Sequence, residues 1–269
     1  MKRAQAFAKI NLALVVGPVR GDGKHEVVTV LQRIDLADDI ELELAEALTV
    51  EGFDDDTLVR GALEALAEAA GVAPRWRARI EKRIPVASGL GGGSSDAAST
   101  LVLANADLPE PLPPAALHDI AAGLGADVPF FLHDATRLAT GDGTTLEPVE
   151  LPHDYLVVLV LPDSESKEST EAVYRRFDER DGARGFDERR AALLDTLRSV
   201  EEAHDLARLP RNDLVSSPLA EQLEELGAFR ADVSGAGPAV YGLFEHADDA
   251  EHAAATLRRA GRTWLVRPV

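Results

Sequence analysis

The sequence predicts an α+β fold made of two domains. Three observations support this prediction. The first half of the 269-residue chain contains apolar runs of strand length, a glycine cluster leads directly into an apolar helix, and the chain ends in the order strand, turn, strand, helix, strand. We place the boundary near Leu151, in a connector that contains Pro148 and Pro152, and expect domains 1–151 and 152–269.

The N-terminal half combines strands with one early helix. Four segments have the length and apolar pattern of β-strands: residues 10–16, 27–36, 40–44 and 75–84. In the last of these, Trp76, Ala78 and Ile80 alternate and therefore share one face. Residues 57–70 carry apolar side chains at helical spacing, and Gly71 follows them, which predicts a helix that ends there.

The middle of the chain is predicted to contain two helices. Residues 94–106 begin with serines and an aspartate and continue with Ala, Leu and Val, which predicts a buried helix that opens right after a glycine cluster. Four prolines make residues 108–114 a rigid connector, and residues 115–123 form a short helix after it.

The C-terminal half alternates between the two kinds of element. We expect, in order, a strand at 155–161, helices at 169–177 and 187–200, a strand, turn and strand within 231–244, a helix at 248–260 and a strand at 263–266. The closing β-turn-β-α-β order predicts a small α/β sandwich.

Composition excludes several classes of protein. The longest uncharged apolar run, near residues 155–162, is too short to cross a bilayer, and the N-terminus lacks the apolar core of a secretory signal, so we expect a cytoplasmic protein without a membrane partner. The absence of cysteine excludes disulfides, thiolate nucleophiles and Cys-ligated metals. A net charge of −19 disfavours nucleic acid as a partner, while a small anion received by local amides and cations remains compatible.

The glycine cluster indicates phosphate binding. Gly89, Gly91, Gly92 and Gly93 precede Ser94 within the stretch PVASGLGGGSSDAA. Glycines at a helix N-terminus leave backbone N–H groups open to an anion, and serine hydroxyls can reach phosphate oxygens or Mg²⁺. No lysine follows the glycines, and Gly-x-Gly-x-x-Gly is absent, so neither the P-loop nor the dinucleotide fingerprint applies. The alternative is a hinge or helix cap without a ligand.

Three motifs in order resemble those of the GHMP kinases. They are AFAKINLAL at 6–14, PVASGLGGGSSDAA at 85–98 and SGAGPAVYGLF at 234–244. The resemblance implies an N-terminal domain like ribosomal protein S5, a C-terminal ferredoxin-like α/β sandwich, and ATP with Mg²⁺ as cofactors. It also implies ATP binding by the loop residues Pro85, Val86, Ala87, Ser88, Gly89, Leu90, Gly91, Gly92, Gly93, Ser94 and Ser95.

The resemblance also extends to the substrate. AKIN at 8–11, the stretch around His25, the triple glycine and GADVPFF at 125–131 are most similar to family members that phosphorylate the 2-hydroxyl of a cytidine-diphosphate-linked methylerythritol in isoprenoid precursor synthesis. The alternatives are another small-molecule kinase of the family, of the homoserine or mevalonate-pathway type, or a nucleotide-binding regulator without catalysis. We expect a monomer or homodimer.

Lys9 and Asp127 are the candidate catalytic residues. Lys9 begins an otherwise apolar strand, and Asp127 lies in a short polar insertion between a helix end and an apolar run, so both charges are expected to be partly buried and to need a partner. By resemblance, Asp127 orients or deprotonates the acceptor hydroxyl, and Lys9 stabilises the charge that develops there. From the residues alone, Asp127 as a helix N-cap and Lys9 as a strand-edge charge are the simpler interpretations.

Asn11, His25 and Tyr174 are the candidate substrate-binding residues, again by resemblance, although each is also compatible with a structural role. We expect Asp96 to cap the helix that follows the glycines.

Two positions depart from the family pattern. Lys24 stands where a tyrosine that stacks on cytosine is usual, and it could pair with phosphate or cover the base with its methylene stem. Ala236 replaces a common serine or threonine, so a hydroxyl contact is lost there.

Overall fold

The computed structural model describes residues 1–53, 58–163 and 169–269. The strands are β1 (Lys2–Val19), β2 (His25–Leu44), β3 (Thr49–Glu51), β4 (Trp76–Glu81), β5 (Arg137–Gly141), β6 (Thr145–Pro148), β7 (Leu156–Pro162), β8 (Arg230–Val233), β9 (Val240–Phe244) and β10 (Gly261–Val266). The α-helices are α1 (Leu58–Ala70), α2 (Gly92–Asn105), α3 (Pro114–Leu124), α4 (Thr170–Glu179), α5 (Phe186–Arg198), α6 (Pro218–Glu225) and α7 (Ala247–Leu257). Short 3₁₀ helices cover Pro129–Leu132 and Ala203–Arg208. None of the described helices has the length and hydropathy that a bilayer crossing requires.

The strands form two sheets. The first sheet has the strand order β3-β4-β2-β5-β6, and β1 also pairs with β2. Strands β3 and β4 of this sheet are parallel. The second has the order β10-β7-β9-β8 and is antiparallel throughout. Helices α6 and α7 pack on this second sheet around Val158, Leu223 and Phe244. The predicted α+β class and the predicted C-terminal sandwich are confirmed.

The chain divides into two compact units, each built from separate segments. One contains Met1–Ala8, Leu36–Val86 and Gly91–Asp134. The other contains Lys9–Asp35, Ala87–Leu90 and Ala135–Val269. The predicted domain boundary at residue 151 stays a prediction.

The prediction of two strands at 27–36 and 40–44 is wrong, because β2 runs through both without a break. Ala37, Asp38 and Asp39 lie between the two predicted strands. Asp38 is instead fully buried within the strand, and its Oδ1 accepts hydrogen bonds from the backbone N–H groups of Arg83 (2.5 Å) and Ile84 (2.8 Å). A buried carboxylate that is hydrogen-bonded in this way is compatible with a continuous strand.

Other differences concern short elements and ends. The sequence analysis did not predict β3, the β5–β6 hairpin or α6. These elements have three to eight residues, too few for a clear periodic signal, although the Gly141-Asp142-Gly143 turn marks the hairpin. The helix predicted at 57–70 is confirmed from Leu58 onward, while Thr57 lies outside the described residues.

The N-terminal strand is tied to the second sheet by buried polar side chains. The guanidinium of Arg230 donates hydrogen bonds to the carbonyl oxygens of Leu12 (2.7 Å) and Leu209 (2.6 Å), and the hydroxyl of Tyr241 donates to that of Asn11 (3.0 Å). Both donor side chains are fully buried. The planar fork of arginine lets one side chain satisfy several carbonyl groups.

A buried cluster of three charged groups joins β2, the end of β4 and α2. The Lys82 ammonium lies 2.5 Å from Asp38 Oδ2 and 2.7 Å from Asp96 Oδ2. Asp96 is 1% exposed, and no hydrogen-bond partner for its Oδ1 exists among the described residues. Burial raises the pKa of Asp96 to about 7, against the attraction of Lys82. Burial lowers the pKa of Lys82, but the two carboxylates more than offset this and raise it.

This cluster makes folding stability depend on pH. Because the pKa of Asp96 is raised from 3.8 to about 7, its contribution to stability is fully present below about pH 4 and is lost as pH rises through about 7. Asp96→Asn removes this loss. We expect the unfolding free energy of the variant, relative to the wild type, to increase between about pH 5 and about pH 8 by on the order of 1 kcal/mol or more. Urea unfolding across that range measures it, and a pH-independent difference would contradict the assignment.

Candidate active site

The glycine loop, residues 85–95, is held in its first half by hydrogen bonds. The carbonyl oxygen of Gly89 accepts one from Ser234 Oγ (3.0 Å), and that of Leu90 accepts one from the backbone N–H of Lys9 (2.9 Å). Gly89 has a φ of +84°, and a Cβ there would lie 2.3 Å from the carbonyl oxygen of Ser234. This position therefore requires glycine.

The second half of the loop becomes the N-terminus of α2. Gly91 is the N-cap residue with a φ of +73°, and as a glycine it has no side chain that could cap the first turn. The first N–H groups of a helix have no partner inside the helix. The Lys82 ammonium lies at the same end, since a Cβ on Gly92 would be 3.3 Å from it. Open amides, the helix dipole and a cation together favour an anion here.

The eleven predicted loop residues differ in exposure. Pro85, Ser88 and Leu90 are buried, whereas Val86 and Ala87 are exposed. Ala87 has a φ of +60°, a conformation that residues other than glycine seldom adopt. Asp96 does not cap α2, contrary to the sequence expectation, because its side chain pairs with Lys82.

Lys9 and Asn11 are brought together on β1. Lys9 is 3% exposed, and its ammonium donates a hydrogen bond of 2.6 Å to Asn11 Oδ1, while Asn11 Nδ2 donates to Thr29 Oγ1 (2.8 Å). The backbone N–H of Asn11 donates to Ser234 Oγ (3.3 Å), and this hydroxyl oxygen also lies 3.4 Å from Asn11 Oδ1. Gly235 has a φ of +59°, and a Cβ there would lie 3.4 Å from the Lys9 ammonium. The first and third motifs thus meet around one buried cation.

Asp127 lies in the turn between α3 and the 3₁₀ helix Pro129–Leu132. Its side chain is half-buried, and the turn is closed by a hydrogen bond from Val128 N–H to the carbonyl oxygen of Gly125 (3.1 Å). The N-cap of the 3₁₀ helix is Val128, so Asp127 does not serve as its cap. Its pairing with Lys9 stays a prediction.

His25 and Tyr174 are brought together by a contact between their rings. The two ring centroids are 4.8 Å apart with an interplanar angle of 37°, and Phe177 meets the imidazole edge to face at 5.9 Å. His25 Nε2 lies 2.8 Å from Asp178 Oδ1. Helix α4 supplies all three partners of the histidine.

Lys24, which replaces the usual tyrosine, is paired with the β5–β6 turn. Its ammonium lies 2.6 Å from Asp142 Oδ2, and Thr144 donates to the other oxygen of that carboxylate (2.7 Å). Burial alone would raise the pKa of Asp142, but the hydrogen bonds from Lys24 and Thr144 lower it to about 2. The lysine therefore has a carboxylate partner in the protein itself.

Several residues that were not predicted from the sequence lie beside the predicted ones. They are Thr29, Lys82, Asp178, Ser234 and Gly235. Ser234 and Gly235 stand inside the third motif, so the motif itself was a usable signal. Thr29, Lys82 and Asp178 carry no local signal, because their roles depend on partners distant in sequence.

Two family models match the chain. Residues 57–135 match the GHMP kinases N terminal domain, and residues 191–263 match the GHMP kinases C terminal domain.

Similar proteins cover nearly the whole chain. The 4-diphosphocytidyl-2-C-methyl-D-erythritol kinase of Chlorobium phaeobacteroides is 38% identical over 98% of this chain and 96% of its own length. The protein of the same name from Deinococcus radiodurans is 41% identical over 97% and 90%. A crystal structure of 4-(cytidine 5'-diphospho)-2C-methyl-D-erythritol kinase, 32% identical, covers 99% of both chains with a TM-score of 0.79. A mevalonate kinase structure, 13% identical over 100% of this chain and 99% of its own, has a TM-score of 0.75 and shares the fold.

Because the two family models together match more than half of the chain, and because relatives at these identities span nearly all of it, the chain belongs to the GHMP kinases, which transfer phosphoryl groups to small molecules.

Proposed function

We propose that this kinase transfers the γ-phosphoryl group of ATP to the 2-hydroxyl of 4-diphosphocytidyl-2-C-methyl-D-erythritol, a step in non-mevalonate isoprenoid precursor synthesis. The observation that carries the proposal is the uncapped N-terminus of α2 behind Gly89 and Gly91, which suits an ATP phosphate chain. The names of the similar proteins supply the acceptor. The second candidate, another small-molecule kinase of the family, is supported only by fold.

Catalysis in this proposal depends on charge near the acceptor oxygen. Phosphoryl transfer needs an oxygen placed in line with the phosphorus and positive charge for the oxygens that become more negative. Lys9 can supply that charge because Asn11 holds its ammonium in place within a buried setting. Asp127 would accept the proton of the acceptor hydroxyl.

The residues present fit a magnesium ion that arrives bound to ATP. Among the described residues, no three His, Asp or Glu side chains form a metal site of their own. The hydroxyls of Ser94 and Ser95 stand in the first turn of α2 and are oxygen donors, which Mg²⁺ prefers. When bound, the ion would neutralise phosphate charge.

The proposal also covers the cellular location, the oligomeric state and the partners of the enzyme. We place the enzyme in the cytoplasm as a monomer or homodimer, with its small-molecule substrates as its partners. The net charge of −19 disfavours nucleic acid as a partner.

Substrate identity is tested by ADP release with a panel of acceptors. We expect kcat/KM for the cytidylyl substrate to exceed that for homoserine, mevalonate or phosphomevalonate by about 100-fold or more, since a matched polar site rejects acceptors that leave its groups unpaired. Activity on mevalonate alone would keep the family and overturn the substrate. ATP binding without release of ADP on any acceptor would favour a regulator.

The phosphate loop is tested by Gly91→Val. At a φ of +73° a β-branched residue is strained by about 1–2 kcal/mol, so the turn into α2 must rearrange. We expect the Kd for ATP, measured by calorimetry, to rise about tenfold or more while thermal unfolding stays cooperative. Gly71→Val is the matched control, because Gly71 has a φ of +65° and open space around it at the end of α1. Equal ATP affinity in the two variants would remove the loop from the site.

The catalytic pair is tested by Asp127→Asn, Lys9→Met and the double variant. Loss of a positioned base lowers the rate on the order of 10²- to 10⁴-fold, and two groups that act on one hydroxyl give non-additive losses. We expect the double variant to be about as slow as the slower single variant in steady-state kcat. Asp119→Asn, on the exposed face of α3, should keep wild-type kcat. A double variant whose loss equals the product of the single losses would contradict the pairing.

A further inference from the structure

The two ring nitrogens of His25 have different surroundings. Nε2 lies 2.8 Å from Asp178 Oδ1, while no hydrogen bond to Nδ1 is present among the described residues. An ionised carboxylate can only accept a hydrogen bond, so Nε2 is the nitrogen that carries the hydrogen. In a neutral ring Nδ1 then carries the lone pair and acts as an acceptor.

Helix α4 fixes the orientation of this ring. Tyr174 and Asp178 are four residues apart and therefore lie on one face of the helix, where both contact His25. Phe177, buried in the core with Val16 and Val27, meets the imidazole edge to face. The His25 side chain is 10% exposed, so it is packed firmly and keeps a small open area.

The lysine next to His25 in sequence does not compete for Asp178. Lys24, the preceding residue, holds Asp142 rather than Asp178. Asp178 is 48% exposed and receives no other ion pair among the described residues, so its carboxylate is committed to the histidine.

We propose that Asp178 is a positioning residue through which this chain selects cytosine over uracil. By keeping the hydrogen of His25 on Nε2, it presents Nδ1 as an acceptor to the 4-amino group, a donor that cytosine has and uracil lacks. Uracil places a carbonyl oxygen at that position, and two lone pairs would face each other. The inference rests on the proposed function, which supplies a cytidine substrate.

Kinetics with two acceptors test the proposal. The acceptors are the cytidylyl substrate and its uridine counterpart, and the variants are Asp178→Asn, Asp178→Glu and the control Glu179→Gln. An asparagine can donate to Nε2 as well as accept from it, so it no longer fixes the tautomer. We expect the cytidine preference in kcat/KM to fall about tenfold in Asp178→Asn, mainly through the KM for the cytidine acceptor, and to return in Asp178→Glu.

The control removes the same charge from the neighbouring position. Glu179 is exposed near the end of α4 and lies 3.9 Å from Arg175. Glu179→Gln should keep the wild-type preference, because this carboxylate has no contact with His25.

Nitrogen-15 NMR of histidine-labelled protein tests the tautomer without any substrate. The His25 signals are assigned by their loss in His25→Gln, and spectra are recorded at about pH 8, above the ordinary titration range of imidazole. We expect the hydrogen on Nε2 in the wild type and a mixture of tautomers in Asp178→Asn.

The possible results distinguish a failure of the proposed function from a failure of the role of Asp178. A wild-type protein that is inactive on both acceptors overturns the proposed function. A wild type that uses the cytidine acceptor, combined with an unchanged base preference in Asp178→Asn, overturns the role of Asp178 alone. A hydrogen found on Nδ1 in the wild type overturns it as well.

Discussion

The carboxylate of Asp38 holds in place the segment from which the glycine loop, residues 85–95, starts. It accepts hydrogen bonds from two consecutive backbone N–H groups, those of Arg83 and Ile84, and it also binds the Lys82 ammonium. Lys82 in turn binds Asp96 in the first turn of α2. Without Asp38, two backbone amides and the partly buried Lys82 ammonium would lose an anion, a loss typically on the order of several kcal/mol. The direction in which α2 opens therefore depends on a side chain located in a strand.

The local parts of the site could be predicted from the sequence. The glycine cluster, the helix after it and the apolar face of Trp76, Ala78 and Ile80 follow from patterns of a few residues, and the structure contains all of them. The continuous course of β2 could not be predicted, because the partners that make Asp38 acceptable inside a strand lie more than forty residues away.

The contacts between distant motifs needed the family resemblance. Asn11 and Ser234 are 223 residues apart, and no local pattern indicates that they share a hydrogen bond. The family resemblance did not indicate Asp178 or Lys82 either, since neither residue lies in one of the three family motifs. Lys24 shows the opposite case: the departure from the family was visible in the sequence, but its partner Asp142 was not.

The hydrogen bonds of Arg230 and Tyr241 determine how late β1 acquires its final contacts during synthesis and folding. These side chains reach the carbonyl groups of Leu12 and Asn11 across sequence separations of 218 and 230 residues. During translation, which proceeds from the N-terminus, β1 can pair with β2 early but cannot receive these hydrogen bonds until Arg230 and Tyr241 have left the ribosome. Contacts of such long range also slow folding of the free chain. The strand that carries Lys9 is thus synthesised long before the residues that complete its surroundings, and until they arrive the apolar run at residues 10–16 is prone to aggregation.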